Sequence, residues 1–171
     1  VVGKKQRTSE KLHASAIGAA ILTTPYPAID EYYSIWKNVL KRSPEELIAE
    51  LKEAGIRGRG GAGFPMAFKL DACRLEKNDI KFIVCNADEG DPGAFSDRYI
   101  MEERPHALLM GMMIAGYITG AKTGVVYIRG EYPESVERIQ QEVEELRKRK
   151  LIGSETQDSD FVFDFKVIKA M

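Results

Sequence analysis

The first segment that could carry chemistry lies between residues 55 and 65 and reads GIRGRGGAGFP. Four of six consecutive residues in it are glycines: Gly58, Gly60, Gly61 and Gly63. Glycine lets the backbone approach a ligand closely and adopt positive φ angles, and consecutive backbone N–H groups can then cradle a phosphate. Arg57, Arg59 and Lys69 add the positive charge that an anion requires. The segment predicts an anion-binding loop, and a flexible surface loop is the alternative.

The same glycines fit the spacing G-x-G-x-x-G of dinucleotide-binding loops. The ordinary form of that motif follows a strand and opens a helix. Here the residues before the loop predict a helix, since Ser43 is a good N-cap, Pro44 suits the first turn and Glu46 completes a capping box. Phe64 and Pro65 follow the loop. We therefore reject the ordinary dinucleotide motif and keep the phosphate-binding chemistry.

A second candidate lies further along the chain, where Asn86, Asp88, Glu89 and Asp91 fall within six residues. Carboxylates suit ribose hydroxyls, the N–H groups of a flavin or nicotinamide amide, or a divalent metal. A calcium loop needs more alternating oxygen ligands and a terminal bidentate Glu, so we predict no metal site. A solvated turn is the alternative. Together, a cationic glycine loop and a carboxylate turn fit a nucleotide, which is anionic at one end and rich in donors at the other.

Charge and cysteine usage exclude several classes of function. The net charge is −1, from 25 basic and 26 acidic residues, so no overall field attracts nucleic acid. The longest apolar run, residues 107–120, is shorter than the roughly 20 residues that a membrane span needs, so direct membrane insertion is not expected. Cys73 and Cys85 lie twelve residues apart, which is not an iron–sulfur spacing. Free thiols are typical of a reducing compartment, and we expect a cytoplasmic protein.

The elements that must position these residues alternate between strands and helices. We predict helices over residues 31–40, from Ser43 to Gly55, 105–119 and 133–150, and strands over 81–85, 125–129 and 161–168. This order predicts an α/β fold with a Rossmann-like parallel sheet and helical crossovers, preceded by an N-terminal helical arm. Ligands in such sheets bind beyond the carboxyl ends of the strands, where the acidic turn would lie.

These segments resemble a known family. The stretches GIRGRGGAGFP, Phe68-Lys69, CNADEGDPGAF, Pro105-His106 and IRGEYP are similar to the NADH-binding flavoprotein subunit of respiratory complex I. The corresponding subunits of NAD-linked hydrogenases and formate dehydrogenases look closer, because Asp91 stands where the complex I branch favours Glu. The resemblance covers roughly residues 31–168. It implies residues 1–54 as an N-terminal arm with helices, and 55–171 as the first half of a domain that binds FMN and NADH.

The resemblance also implies a role for each matching residue. Backbone and side chains of the glycine segment would hold the FMN and its phosphate: Gly58, Arg59, Gly60, Gly61, Gly63 and Lys69. The polar groups of the flavin would be held by Asn86, Asp88 and Glu89, and NADH would be received by Phe64 and Asp91. Leu70 stands where the family often has Trp, which affects packing beside the flavin. No side chain is expected to act as acid or base, because the cofactors carry the chemistry.

The family's activity is hydride exchange between NAD(H) and FMN, followed by single-electron transfer to iron–sulfur clusters of partner subunits in a complex, which can itself be peripheral to a membrane. Family members continue with a Cys-Gly-Glu-Glu-Thr stretch and a four-cysteine site for a 4Fe-4S cluster, neither of which is present here. We therefore expect this chain to bind FMN weakly or not at all by itself. A non-catalytic assembly fragment of such a complex, and a quinone- or ferredoxin-linked relative, are the alternatives.

Overall fold

The computed structural model describes residues 29–59, 61–154, 156 and 159–170. In chain order the elements are α1 (Ile29–Tyr32), α2 (Ser34–Val39), α3 (Pro44–Glu53), α4 (Met66–Leu75), β1 (Phe82–Ala87), α5 (Ser96–Glu103), α6 (Pro105–Thr119), β2 (Thr123–Ile128), α7 (Pro133–Lys148) and β3 (Asp164–Lys169). The three strands form one parallel sheet in the order β1-β2-β3. The predicted α/β fold with helical crossovers is confirmed. The part of the predicted arm that precedes residue 29 lies outside the described residues.

Local signals explain where two of the helices begin and end. At the start of α3, the Ser43 side chain accepts a hydrogen bond from the Glu46 amide, and the Glu46 side chain accepts one from the Ser43 amide. This reciprocal capping satisfies two amides that the helix leaves unpaired. Helix α6 begins with Pro105 and ends at Gly120, whose φ of 76° is left-handed.

One face of the sheet is covered by helices. Both crossovers lead in the same direction across the sheet, so the connecting helices lie on one side. Helix α6 packs against β1 and β2, and α7 packs against β3. The side chains that point to these helices are buried, including Ala87, Val126, Ile128 and Phe165.

The opposite face of the sheet is open. Several apolar side chains on this face are accessible: Phe82 is 51% exposed and Val84 64% in β1, and the register partners Tyr127 and Ile168 are 38% and 42% exposed. Parallel sheets in proteins are ordinarily covered on both faces. The apolar side chains of this face therefore have no cover among the described residues, although the same face also carries the exposed polar residues Asn86 and Lys166.

The buried core extends from the sheet into the N-terminal helices. Trp36 of α2 and Leu47 of α3 belong to the same buried cluster as Met113 and Ile118 of α6. The ring of Phe163 packs directly on Gly116 of α6, where an added Cβ would lie 2.4 Å from it. The helices before the glycine segment therefore share one core with the sheet. Among the described helices, none is long and apolar enough to cross a bilayer.

Several boundaries differ from the sequence predictions. The helix predicted over residues 31–40 is two short helices, α1 and α2, with Tyr33 between them. Strand β1 continues to Ala87 because Asn86 and Ala87 still pair with β2. Strand β3 starts at Asp164, since Phe163 forms an isolated bridge with Gly153. Helices α4 and α5 were not predicted.

Candidate functional site

The glycine segment forms a loop with a closed neck between α3 and α4. The Gly58 amide donates to the Phe64 carbonyl at 2.8 Å, and the Met66 amide donates to the Ile56 carbonyl at 2.9 Å. These two hydrogen bonds hold the ends of the loop side by side, as does the bridge between Arg57 and Pro65. The tip of the loop is exposed to solvent. We call residues 57–65 the glycine loop.

Backbone conformation explains two of the glycines. Gly61 has a φ of 102° and Gly63 a φ of 59°, and a Cβ at either position would contact nothing within 4 Å. The conformation, and not lack of space, therefore requires glycine here, because residues with a Cβ rarely adopt positive φ. Gly58 has ordinary backbone angles. Gly60 lies outside the described residues, so its predicted contact with the phosphate stays a prediction.

The three cations near the loop are not equivalent. Arg57 braces the loop from within, since its Nη1 donates to the Gly63 carbonyl at 3.1 Å. Arg59 and Lys69 are exposed, and neither forms an ion pair with another described residue. Two positive charges are thus available to an anion on this side of the molecule. The sequence analysis predicted all three cations but could not show that Arg57 binds within the loop while the other two do not.

A helix follows the loop at once. Pro65 precedes the ten-residue helix α4 and provides no side-chain cap, so the amides of the first turn lack a cap acceptor, except for that of Met66, which donates to the Ile56 carbonyl. Helix N-termini attract anions for this reason. The loop therefore leads into a helix, as dinucleotide loops do, although a helix and not a strand precedes it. The helix predicted before the loop is confirmed, whereas the helix that opens directly after Phe64 and Pro65 was not predicted.

A small pocket lies beside the glycine loop. Its volume is about 210 Å³, and it is lined by residues of α3, the loop and α4, among them Lys52, Arg57, Pro65 and Phe68. Pockets that enclose a whole drug-sized ligand measure about 300–1,000 Å³. This pocket is smaller than that range, and no residue of the acidic turn lines it.

The acidic segment, residues 86–93, begins with the last two residues of β1 and continues beyond the carboxyl end of that strand, where the sequence predicted it. We call it the acidic turn. Asn86 is still paired within the sheet, and its Oδ1 accepts a hydrogen bond from the Asp88 amide at 3.1 Å. The Ala94 amide closes the far side of the turn on the Asp91 carbonyl at 3.1 Å. The side chains of Asp88 and Asp91 are exposed, and no hydrogen bond from another described residue occupies their carboxylates.

Glu89 differs from its acidic neighbours because its carboxylate is already engaged. Oε1 accepts hydrogen bonds from the Ser96 hydroxyl at 3.0 Å and from the Asp97 amide at 3.2 Å, and Oε2 lies 3.4 Å from the Arg98 amide. Partial burial acts to raise the pKa of Glu89, but these hydrogen bonds outweigh it and hold the pKa below its ordinary value. Glu89 therefore caps the start of α5 from seven residues upstream.

The two features are joined through α6. Helix α4, which follows the glycine loop, packs against α6, and α6 packs against β1, which leads into the acidic turn.

Within the described residues, no cluster of three or more His, Cys, Asp or Glu could hold a metal ion. Phe64, predicted to receive NADH, is 53% exposed at the neck of the glycine loop.

Comparison with known proteins identifies the family of this chain. Residues 51–170 match the family described as the Nuo51 FMN-binding domain. The NADP-reducing hydrogenase subunit HndC of Solidesulfovibrio fructosivorans is 41% identical over 145 residues, which cover 82% of this chain and 29% of that protein. A subunit of the NADH-quinone oxidoreductase of Rhizobium meliloti is 39% identical over 142 residues, which cover 83% of this chain and 34% of that protein.

A solved structure of a related protein superposes on this chain. The crystal structure of an NAD+-reducing nickel–iron hydrogenase in the H2-reduced state superposes with a TM-score of 0.67 at 31% identity, over 77% of this chain and 23% of that one. This chain spans roughly a third of the length of its relatives. The predicted resemblance to complex I and hydrogenase subunits is confirmed, whereas that to formate dehydrogenase subunits stays a prediction. The chain belongs to the family of the Nuo51 FMN-binding domain.

Proposed function

We propose that this chain forms the first part of the FMN- and NAD(H)-binding region of an oxidoreductase subunit, with the glycine loop and the acidic turn at two ends of one flavin site. FMN bound there would exchange a hydride with NAD(H) and pass electrons on singly. The partners that we propose are iron–sulfur electron-transfer subunits of a multi-subunit complex, in line with the names of the hydrogenase and NADH-quinone oxidoreductase relatives.

The observation that carries the proposal is the conformation of the glycine loop. Its ends are pinned by hydrogen bonds, its tip is exposed, and it leads into the N-terminus of α4. Arg59 and Lys69 have no competing anionic partner among the described residues. Backbone N–H donors, a helix N-terminus and unpaired cations are groups that bind a phosphate dianion favourably. The residues present therefore fit the phosphate end of FMN.

The acidic turn offers the complementary chemistry. The carboxylates of Asp88 and Asp91 can accept hydrogen bonds from ribose hydroxyls or ring N–H groups, and the amide of Asn86 retains N–H donors for a carbonyl oxygen. Glu89 is the exception, because its carboxylate already accepts three hydrogen bonds at the start of α5. We propose that it acts on the site mainly by shaping the turn. Exposed Phe64 can stack on a ring of NADH.

The test compares FMN with riboflavin, which lacks the phosphate. In titrations of this chain followed by flavin fluorescence, we expect weak binding that favours FMN. The variants Arg59→Gln and Lys69→Met should weaken FMN binding and leave riboflavin binding unchanged, because only the phosphate end loses charge. Lys148→Met, an exposed lysine on α7, is the matched control and should change neither. Equal affinity of the unaltered chain for the two flavins would contradict the proposal.

A non-catalytic assembly role is the second candidate. The observation that favours it is the open face of the sheet, where Phe82 and Val84 are more than half exposed. Apolar patches of this kind mark surfaces that pack against further polypeptide. The same titration separates the two candidates, since an assembly role requires no discrimination between FMN and riboflavin.

A further inference from the structure

The side chain of Arg129 reaches from the end of β2 to the acidic turn at the end of β1. Its Nη1 donates to the Glu89 carbonyl at 2.6 Å. Its backbone amide donates to the Ala87 carbonyl at 3.2 Å, which extends the pairing of the two strands. A Cβ built on Gly90 would lie 3.4 Å from the same Nη1. The guanidinium therefore lies against the peptide that joins Glu89 to Gly90.

The remaining nitrogens of Arg129 are occupied by Glu131. Nε donates to one carboxylate oxygen of Glu131 at 2.8 Å, and Nη2 donates to the other at 3.2 Å. This two-point pairing fixes the plane of the guanidinium, so Nη1 has one direction in which to point. It also balances the positive charge of Arg129. Arg129 therefore acts as a strut, by which we mean a side chain that links the end of β2 to the acidic turn through fixed hydrogen bonds. It differs in this from Arg59 and Lys69, whose charges are unpaired among the described residues.

A second contact comes from the same connection. The hydroxyl of Tyr132 lies 3.4 Å from Oε2 of Glu89, and the Tyr132 amide donates to the Arg129 carbonyl at 3.0 Å. The guanidinium of Arg98 in α5 lies 5.4 Å from the centre of the Tyr132 ring. Two residues that follow β2 therefore contact Glu89: Arg129 binds its carbonyl oxygen, and the Tyr132 hydroxyl lies near its carboxylate.

We propose that Arg129 is a positioning residue for the flavin site: its guanidinium holds the Glu89–Gly90 peptide and thereby sets where Asp88 and Asp91 present their carboxylates. This inference rests on the proposed function for the identity of the ligand. The strut itself depends only on the contacts between β2 and the acidic turn. Lysine cannot replace it fully, because an ammonium group lacks the planar fork that pairs with Glu131 and reaches the carbonyl together.

The first measurement needs no ligand. Amide hydrogen exchange of the whole chain is compared among the unaltered protein, Arg129→Met and Arg129→Lys, with Arg42→Met as control, since Arg42 pairs with Glu50 outside this region. We expect Arg129→Met to speed exchange about tenfold at the hydrogen-bonded amides of Asp88 and Ala94, as suits the loss of one charge-assisted hydrogen bond. Amides within α6 should keep their protection. Unchanged exchange in the acidic turn would overturn the proposal.

The second measurement separates positioning from phosphate binding. Arg129→Met should weaken both FMN and riboflavin binding about fivefold or more, with their affinity ratio unchanged, because the glycine loop is intact. Arg129→Lys should restore part of the affinity. A fall in the FMN-to-riboflavin ratio would show that Arg129 contacts the phosphate and would overturn the inference. If the unaltered chain fails to favour FMN, the proposed function fails, while the exchange rates still decide whether Arg129 sets the acidic turn.

Discussion

Removal of the Glu89 side chain tests the structural role assigned to it. In Glu89→Ala, the start of α5 loses two hydrogen bonds, of 3.0 Å from Ser96 and 3.2 Å from the Asp97 amide, and a longer one from Arg98. Loss of a capping side chain costs about 0.5–2 kcal/mol, and bonds to a charged acceptor lie in the upper part of that range. We therefore expect the free energy of unfolding to fall by about 1–2 kcal/mol in the absence of any flavin.

The assay is urea unfolding followed by circular dichroism near neutral pH, with Asp91→Ala as the matched control. The side chain of Asp91 is exposed and its carboxylate accepts no hydrogen bond from a described residue, so its loss should change stability by less than about 0.5 kcal/mol. Equal stability of the unaltered protein and Glu89→Ala, or equal losses in both variants, would refute the reasoning.

The pH dependence provides an independent check on the same residue. Because hydrogen bonds hold the pKa of Glu89 below its unfolded value, its contribution to stability is present above the unfolded pKa and is lost as the pH falls through the folded one. The stability difference between the unaltered protein and Glu89→Ala should therefore shrink as the pH falls below about 4. If the stability difference between the two proteins stays constant in acid, the charge of the Glu89 carboxylate does not stabilise α5.

Three further predictions concern the core. Gly116→Ala should cost about 1–3 kcal/mol in urea unfolding, because its Cβ would lie 2.4 Å from the ring of Phe163, and Phe163→Leu in the same molecule should recover part of the loss; an unchanged stability in Gly116→Ala would contradict the packing. Burial lowers the pKa of His106 although Glu142 acts to raise it, so the contribution of His106 to stability should be lost as the pH falls below its unfolded pKa of about 6.5. The variant His106→Gln should therefore lose less stability over this pH range than the unaltered protein. A greater loss in the variant would show that the pKa of His106 is raised in the folded protein. Burial raises the pKa of Cys85 to about 11, so iodoacetamide at mild alkaline pH should alkylate it far more slowly in the folded than in the urea-unfolded chain; equal rates would refute this.

Elements whose signals are local could be predicted from the sequence. The bounds of α6 match because Pro105 opens the helix and Gly120 takes the left-handed conformation that ends it. Helix α3 matches because Ser43 and Glu46 form the capping box. Helix α5 was missed because Glu89, which lies outside the window of ordinary capping motifs, caps its N-terminus. Only the tertiary fold brings that carboxylate to the start of the helix.

The same limit applies to the candidate site. Residue types and spacing identified the glycine loop and the acidic turn, since glycine content and carboxylate density are visible in the chain. They could not show that Arg57 is bound to the Gly63 carbonyl while Arg59 is unpaired among the described residues, or that Glu89 is engaged while Asp88 is not. Arg129 was overlooked as a site residue for the same reason, since its contact with Glu89 spans forty positions. The hydrogen-bond partner of each of these side chains is set by residues that only the fold brings close to it.

The proposed flavin site takes contributions from both the glycine loop and the acidic turn. The most direct measurement is a titration of the isotope-labelled chain with FMN, followed by the amide chemical shifts of both segments, which reports weak binding as well as tight binding. We predict that amides from Gly58 to Gly63 and from Asn86 to Asp91 shift together along one binding curve. Shifts confined to one segment, or two curves with different midpoints, would contradict the claim.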